Sequence, residues 1–323
     1  MRTANWESRI GRRLRLRDLH VLFAVVQFGS MAKAAANLGM SQPAVSETIA
    51  DLEHTLGVRL LDRSRRGVAP TMYADTLLQR GRAAFDELRQ GIREIESLAD
   101  PAAGEVRVGC TDSIAESILP SVIERFRAQY PQVVLHVDLV PAPAVSPAPD
   151  LPGLRERRLD LVLTRGAVPS IERGADEHLD VEVLFDDPMV LAVGAQHPLG
   201  RRRRVDLAEL SDQPWILPPP DSLNYITVAE AFRARGLGMP KVILVTYSVG
   251  LRKSLLTSDR FVTVLARSNL RLGGKQSSLR ILPVQLPARR WVVAIVTLKN
   301  RTLNPAVQRF VEHTRSFAKS IAA

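Results

Sequence analysis

A chain of 323 residues with 46% apolar content is long enough to bury two or three separate cores, so neither a disordered segment nor a small disulfide-stapled fold is expected. The net charge of +10 favours a polyanionic partner, and part of the excess lies at the N-terminus, where Arg2, Arg9, Arg12, Arg13, Arg15 and Arg17 face only Glu7 and Asp18. Charge by itself does not separate nucleic acid from an anionic membrane; no run approaches the length needed to cross a bilayer and the N-terminal arm lacks the apolar core of a secretory signal, so a soluble protein is expected, and no membrane partner.

The first predicted element is an amphipathic helix carrying Leu16, Leu19, Leu22, Phe23 and Val26. The stretch from Ser30 to Leu56 then reads as two helices around a short turn. Ala32, Ala34, Ala35, Ala36 and Leu38 make a small, close-packing first helix, and Gly39 supplies the backbone freedom to end it. Ser41 is placed to cap the second helix, and Pro43 sits in its first turn, where a missing N–H does no harm. Val45, Ile49, Leu52 and Leu56 give that helix one apolar side, leaving Gln42, Ser46, Glu47 and Thr48 on a polar face. An ordinary helical hairpin and a helix-turn-helix both fit so short a pattern. The following LGVRLLDRSRRGVAPT favours the second, because Arg59, Arg63, Arg65 and Arg66 fall on a turn-rich, winged segment suited to phosphates.

From about Leu16 to near the C-terminus the chain resembles the LysR-type transcriptional regulators. The residues that carry the resemblance include Leu19, Phe23, Val26, Gly29, Ser30, Ala34, Ala35, Leu38, Ser41 to Ser46, Ile49, Leu52, Glu53, Leu56, Gly57, Leu60, Arg63 and Thr71. The resemblance implies DNA contacts from Gln42, Pro43, Ser46 and Glu47, with wing contacts from Arg63, Arg65 and Arg66. Glu47 departs from the basic or amide side chain often found there. It can accept a hydrogen bond from a cytosine amino group, or it can be a plain helix-surface residue.

Thr71 to about Ala99 reads as one long helix. Leu78, Phe85, Ile92 and Ala99 recur every seven residues, with Gly81, Leu88 and Ile95 between them, which is the pattern of a coiled-coil seam and predicts a dimerisation helix. In the family it corresponds to the linker helix. ADPAAG at 99–104 marks a boundary, beyond which strand and helix alternate: GEVRVGC, SIAESILPSVIERFRAQY, VVLHVDLV, LDLVLT. That order predicts parallel strands with crossover helices. A second set follows from VEVLFDDPMVLAVG to RFVTVLA, and WVVAIVTLKN with the last helix returns to the first lobe. The expected organisation is therefore an all-α winged helix-turn-helix domain at 1–70, a linker helix at 71–99, and a two-lobed α/β domain at 104–323 of the periplasmic-binding-protein-like kind. Lobe I is expected at about 104–180 and 280–323, and lobe II at about 181–279.

Cys110, the single cysteine, excludes an internal disulfide or a thiolate zinc cluster and follows an apolar strand where a small buried residue fits. The six histidines are scattered, so no metal site is expected, and no cofactor. The prolines at 141, 143, 147, 149 and 152 forbid regular structure in PAPAVSPAPDLPG, leaving an inert surface loop or a stiff wall of a ligand cleft. The RRRR run at 201–204 reads as a solvated loop or a secondary contact.

Ligands of doubly wound sheets sit beyond the carboxyl ends of strands, beside helix N-termini. Those ends fall at Thr111 to Ser113, Thr164 and Arg165, Pro218 to Ser222, and Thr246 to Ser248, and the binding residues expected are Thr111, Ser113, Arg165, Pro219, Ser222 and Thr246. Ser113, seven residues before Pro120, matches the family's pocket hydroxyl, and Arg165 matches a basic residue often found beside the effector. Such a set would hold a small carboxylate. An enzyme and a plain solute-binding module are the alternatives. The chain lacks a G-x-S-x-G elbow, a P-loop lysine motif and a dinucleotide glycine fingerprint, and a solute binder leaves residues 16–70 without a purpose. The expected protein is a ligand-responsive regulator of promoter DNA in the bacterial cytoplasm, a dimer through the linker helix and, as the resemblance implies, a tetramer built from two kinds of contact.

Overall fold

The computed structural model describes residues 14–64, 67–99, 103–141, 151–167, 178–272 and 279–322. It divides into an N-terminal unit through Arg89 and a second unit from Gln90 onward.

In the N-terminal unit, α1 (Leu16–Phe28), α2 (Met31–Leu38) and α3 (Gln42–Leu56) close on one core. Each helix ends on a glycine in the left-handed region, Gly29, Gly39 and Gly57, which lets the chain turn sharply without a Cβ clash. Ala34 and Ala35 are buried where the helices pack closely, and Val45, Ile49 and Leu52 of α3 are buried too. Each of these last three contributes roughly 1.5–3 kcal/mol by leaving water. Next come β1 (Leu61–Ser64) and β2 (Gly67–Pro70), an antiparallel pair in which Arg63 faces Val68. Glu53 fixes the approach to β1, its carboxylate accepting from the backbone N–H groups of Leu60 at 2.7 Å and Leu61 at 3.1 Å.

The long helix α4 covers Met72–Ala99. Its expected seam is divided in two. Leu78 and Gly81 are buried in the N-terminal unit, a Cβ on Gly81 would lie 3.3 Å from the Phe23 ring, and Phe85 meets that ring edge-on at 5.8 Å. This half of the pattern packs on α1 of its own chain. Leu88, Ile92 and Ile95, by contrast, are 50%, 57% and 68% exposed.

The second unit holds two five-stranded sheets. In chain order it runs β3 (Gly104–Cys110), α5 (Asp112–Ala115), α6 (Ile118–Gln129), β4 (Val133–Leu139), α7 (Pro152–Arg155), β5 (Leu161–Ala167), β6 (Leu179–Asp186) and β7 (Met189–Gly194). Two short 3-10 turns lead to β8 (Trp215–Leu217), followed by α8 (Leu223–Arg233), β9 (Val242–Val245), α9 (Val249–Leu256), β10 (Val262–Ala266) and α10 (Arg267–Arg271). The unit ends with β11 (Leu279–Ile281), β12 (Trp291–Leu298) and α11 (Pro305–Ala322). Sheet I has the order β4-β3-β5-β12-β6 and sheet II the order β11-β7-β10-β8-β9.

Two expectations need correction. The sheets are mixed: β12 runs antiparallel to both neighbours in sheet I, and β7 does so in sheet II. These are the strands by which the chain enters a lobe on crossing from the other, β7 into lobe II and β12 back into lobe I, so they arrive from the opposite end. The lobe boundaries also move. VEVLFDDPMVLAVG reads as one apolar run, yet it forms two strands in different sheets, β6 in lobe I and β7 in lobe II, broken at Asp187 and Pro188. A proline cannot donate to a ladder, and here it accompanies the first crossing. Residues 181–186 therefore belong to lobe I, while 279–281 pair with β7 and belong to lobe II. Cys110 is buried in the lobe I core among Val106, Val108, Phe126 and Phe310. Burial, and then the charge of Asp112, push its thiol up to about 11, which suits an inert packing residue.

Candidate nucleic-acid interface and ligand cleft

The N-terminal end of α3 is presented by local chemistry. Ser41 caps it by accepting from the Ala44 N–H at 3.4 Å, and Pro43 occupies the first turn. Gln42, Pro43 and Glu47 are exposed and Ser46 is half-buried, while the Thr48 hydroxyl is used within the helix, donating to the Ala44 carbonyl at 2.8 Å. The β1–β2 hairpin is fastened to the end of α1 by Val68, whose N–H donates to the Gly29 carbonyl at 2.9 Å. Gly67 has φ +124°, and a Cβ there would lie 2.7 Å from that same carbonyl oxygen, so only glycine fits. Arg63 is exposed on β1; Arg65 and Arg66 lie outside the described residues. An exposed polar helix end and an exposed arginine on a hairpin of the same unit are suited to base edges and phosphates.

The second unit carries a cleft of about 560 Å³ between its lobes, lined from lobe I by Thr111, Asp112, Ser113, Pro141 and Arg165, and from lobe II by Pro218, Asp221, Ser222, Tyr247 and Arg252. Four of the six residues expected from strand ends, Thr111, Ser113, Arg165 and Ser222, therefore line it. Pro219 and Thr246 do not. The Pro219 carbonyl accepts from the Ser222 hydroxyl at 2.7 Å and shapes the turn into α8, and the Thr246 hydroxyl accepts from the Ser248 N–H at 3.1 Å. Of the proline-rich stretch, Pro141 is a cleft wall and Pro152 opens α7; residues 142–150 lie outside the described residues.

Arg165 does not present a free cation. Its Nε donates to Asp187 at 2.9 Å, one terminal nitrogen donates to Asp187 and to the Ser268 hydroxyl at 2.7 Å, and the other donates to the Ser113 hydroxyl. Both members of the ion pair are almost fully buried, with side chains 5% and 3% exposed. Burial lowers the Arg165 pKa, while the charge of Asp187 and its hydrogen bond act the other way. Asp187 also accepts from the Ser268 N–H at 3.0 Å and hydroxyl at 2.7 Å, so the residue at the first crossing joins β5 of lobe I to α10 of lobe II. Ser113 is engaged as well, donating to the Asn269 side-chain oxygen at 3.0 Å. The lobes meet again where Asp112 accepts from the Val249 N–H at 2.6 Å and where Glu116 pairs with Lys253 at 3.5 Å.

Arg252 is the cleft residue that strand-end reasoning passes over, because it lies in the first turns of α9 rather than at a strand terminus. A signal exists: it falls between Val249 and Leu256 on the buried stripe of that helix, where an arginine has no packing reason to be. Burial pulls its pKa down to about 10 against the opposing charge of Asp112, so it remains charged at neutral pH. At the other wall, Asp221 accepts from the Tyr247 hydroxyl at 3.2 Å; burial, then this hydrogen bond, raise the pKa of that phenol.

A helix-turn-helix with a hairpin wing, followed by a two-lobed α/β domain with a cleft between the lobes, defines a ligand-responsive DNA-binding protein. Residues 16–75 match the bacterial regulatory helix-turn-helix of the LysR family, and residues 99–319 match the LysR substrate-binding domain. The chain belongs to the LysR family of transcriptional regulators, whose members bind promoter DNA and small-molecule effectors and are not enzymes. It is 27% identical over 308 residues to the HTH-type regulator YdcI of Escherichia coli K12, covering 95% of this chain and 97% of that one. It is 29% identical over 306 residues to GbpR of Azospirillum brasilense, covering 94% and 86%. Among solved structures, full-length CbnR in complex with its target DNA superposes with a TM-score of 0.61 at 19% identity, covering 94% of this chain and all of that one. A cysteine variant of full-length OxyR from Pseudomonas aeruginosa gives 0.61, also at 19% identity, with 95% of each chain covered. No helix among the described residues is long and apolar enough to cross a membrane.

Proposed function

We propose that this regulator reads its operator through Gln42, Pro43, Ser46 and Glu47 at the start of α3, with Arg63, Arg65 and Arg66 on phosphates, and that a small organic acid in the interlobe cleft modulates that binding. Residues 1–70 serve DNA, 71–99 join subunits, and 104–323 receive the effector. The exposed Leu88, Ile92 and Ile95 support a dimer through α4, and a tetramer built on it is the assembly this family resemblance favours. Work in the cytoplasm follows from a DNA partner.

The observation that carries the reading is the cleft itself. It is held by polar contacts across two lobes that share two chain crossings, so a ligand touching both walls has differential contacts with open and closed arrangements. The ligand shifts a population, and no bond is made or broken. Linkage gives the test. For the wild-type protein, effector affinity measured by calorimetry with saturating operator DNA should differ from the affinity without DNA by about 5-fold to 150-fold. Equal affinities would remove the coupling.

A further inference from the structure

Two of the six residues expected from the sequence to hold a carboxylate are already engaged, Ser113 with Arg165 and Asn269, Arg165 with Asp187, while Thr111 of the same set is not. Two other buried polar atoms on the cleft residues have no partner among the described residues, Thr111 Oγ1 and Arg252 Nε. Both residues are 3% exposed and both line the cleft. Thr111 stands at the N-cap of α5 but makes no capping bond, so its hydroxyl has no local structural task. Arg252 is anchored through one terminal nitrogen, which donates to the Val264 carbonyl at 2.8 Å, leaving Nε without an acceptor. A buried donor in this condition is disfavoured until a ligand or an ordered water supplies the acceptor, and a ligand group in the cleft is placed to do so.

Charge restricts what that ligand can be. Of the ionic groups lining the cleft, Arg165 is offset by Asp187, which leaves Arg252 facing two carboxylates, Asp112 and Asp221. Among the described residues each carboxylate accepts one hydrogen bond, from Val249 and Tyr247 respectively, and an ionised carboxyl has room for several more. A second negative charge on the ligand would meet like charge there, whereas a hydrogen-bond donor would be received. Leu223, Val249 and Trp291 supply apolar wall for the remainder.

We propose that Thr111 Oγ1 and Arg252 Nε hold the carboxylate of a monocarboxylate ligand that also carries a hydrogen-bond donor, an ammonium or a hydroxyl, turned toward Asp112 and Asp221. The proposal deepens the effector reading above and rests on it. It replaces Ser113 and Arg165 as the anchor, and it excludes dicarboxylates.

The test uses the full chain with four probes of one apolar body: L-phenylalanine, 3-phenyllactate, 3-phenylpropionate and phenylsuccinate. Binding is read by thermal shift and by tryptophan fluorescence, which Trp291 in the cleft reports. Phenylalanine or phenyllactate should bind at least about tenfold tighter than 3-phenylpropionate, a difference worth one good hydrogen bond, and phenylsuccinate weakest of all. Thr111→Val removes an unpartnered hydroxyl from a buried site, so the variant without ligand should melt about 2–4 °C higher while losing probe affinity at least about tenfold. That opposition of sign is not produced by a structural role. Arg252→Lys, which keeps the charge but not Nε, should lose affinity similarly. Tightest binding of phenylsuccinate, undiminished affinity in Thr111→Val, or no binding of any probe would overturn the proposal. Operator retention separates the two layers. A probe that alters retention equally in wild type and Thr111→Val sinks this anchor and spares the effector reading. A probe that binds through Thr111 without altering retention does the reverse.

Discussion

Arg165 illustrates how much a single residue's role depends on its neighbours. Its sequence position beyond an apolar strand suggests a ligand-facing cation, and it does line the cleft, yet its guanidinium is spent on Asp187 and two hydroxyls. A buried ion pair adds little over a well-packed apolar pair, but removing one partner strands the other charge. Arg165→Met should therefore cost about 3–5 kcal/mol, measured by urea unfolding at neutral pH. Adding Asp187→Asn, which removes the stranded charge and keeps an acceptor for the Ser268 N–H, should recover at least half of the loss. Additive losses in the double variant would mean that the pair is not coupled.

At the scale of elements, the proposed reading gives α3 and the hairpin separate tasks, base edges for residues at the start of α3 and phosphate for Arg63 on β1, so their loss should leave different signatures. Gln42→Ala should weaken operator binding by about 1–3 kcal/mol and relax preference at one base position, leaving non-specific binding nearly unchanged. Arg63→Ala should weaken operator and random DNA alike and reduce the slope of log affinity against log salt by about one. Electrophoretic retention at several salt concentrations distinguishes them. Identical behaviour of the two variants would remove the division of labour. The long helix α4 gives a further lesson at this scale: one heptad pattern serves two surfaces, since Leu78, Gly81 and Phe85 face α1 while Leu88, Ile92 and Ile95 are left to solvent.

For the whole molecule, that exposed face is where assembly is expected to act. Three large apolar side chains in adjacent helical turns are costly in water and match a partner helix of the same kind. Ile92→Glu together with Ile95→Glu should shift sedimentation toward the monomer and weaken operator binding by about 100-fold or more, because two half-sites would no longer be engaged by one linked particle. Circular dichroism should stay near wild type, since neither side chain belongs to a buried core of its own chain. An unchanged oligomeric state in this variant would place the interface elsewhere.

Local chemistry was readable from one chain. Caps, glycine turns and the apolar stripe of α3 depend on residues a few positions apart, so Ser41, Pro43, Val45 and Ile49 announce the helix and its polar face without any tertiary information. The alternation of strand and helix beyond residue 104 announces two α/β lobes for the same reason, and it puts Thr111, Ser113 and Ser222 beside a cleft because strand ends are where such clefts form. Contacts between distant segments were not readable. Asp187 meets Arg165 across 22 residues and Ser268 across 81, and both encounters depend on how the chain crosses between sheets. Which strand of an apolar run joins which sheet, which guanidinium is neutralised and which is left with an open donor are decided there, because pairing and burial are properties of the packed lobes rather than of any stretch of sequence.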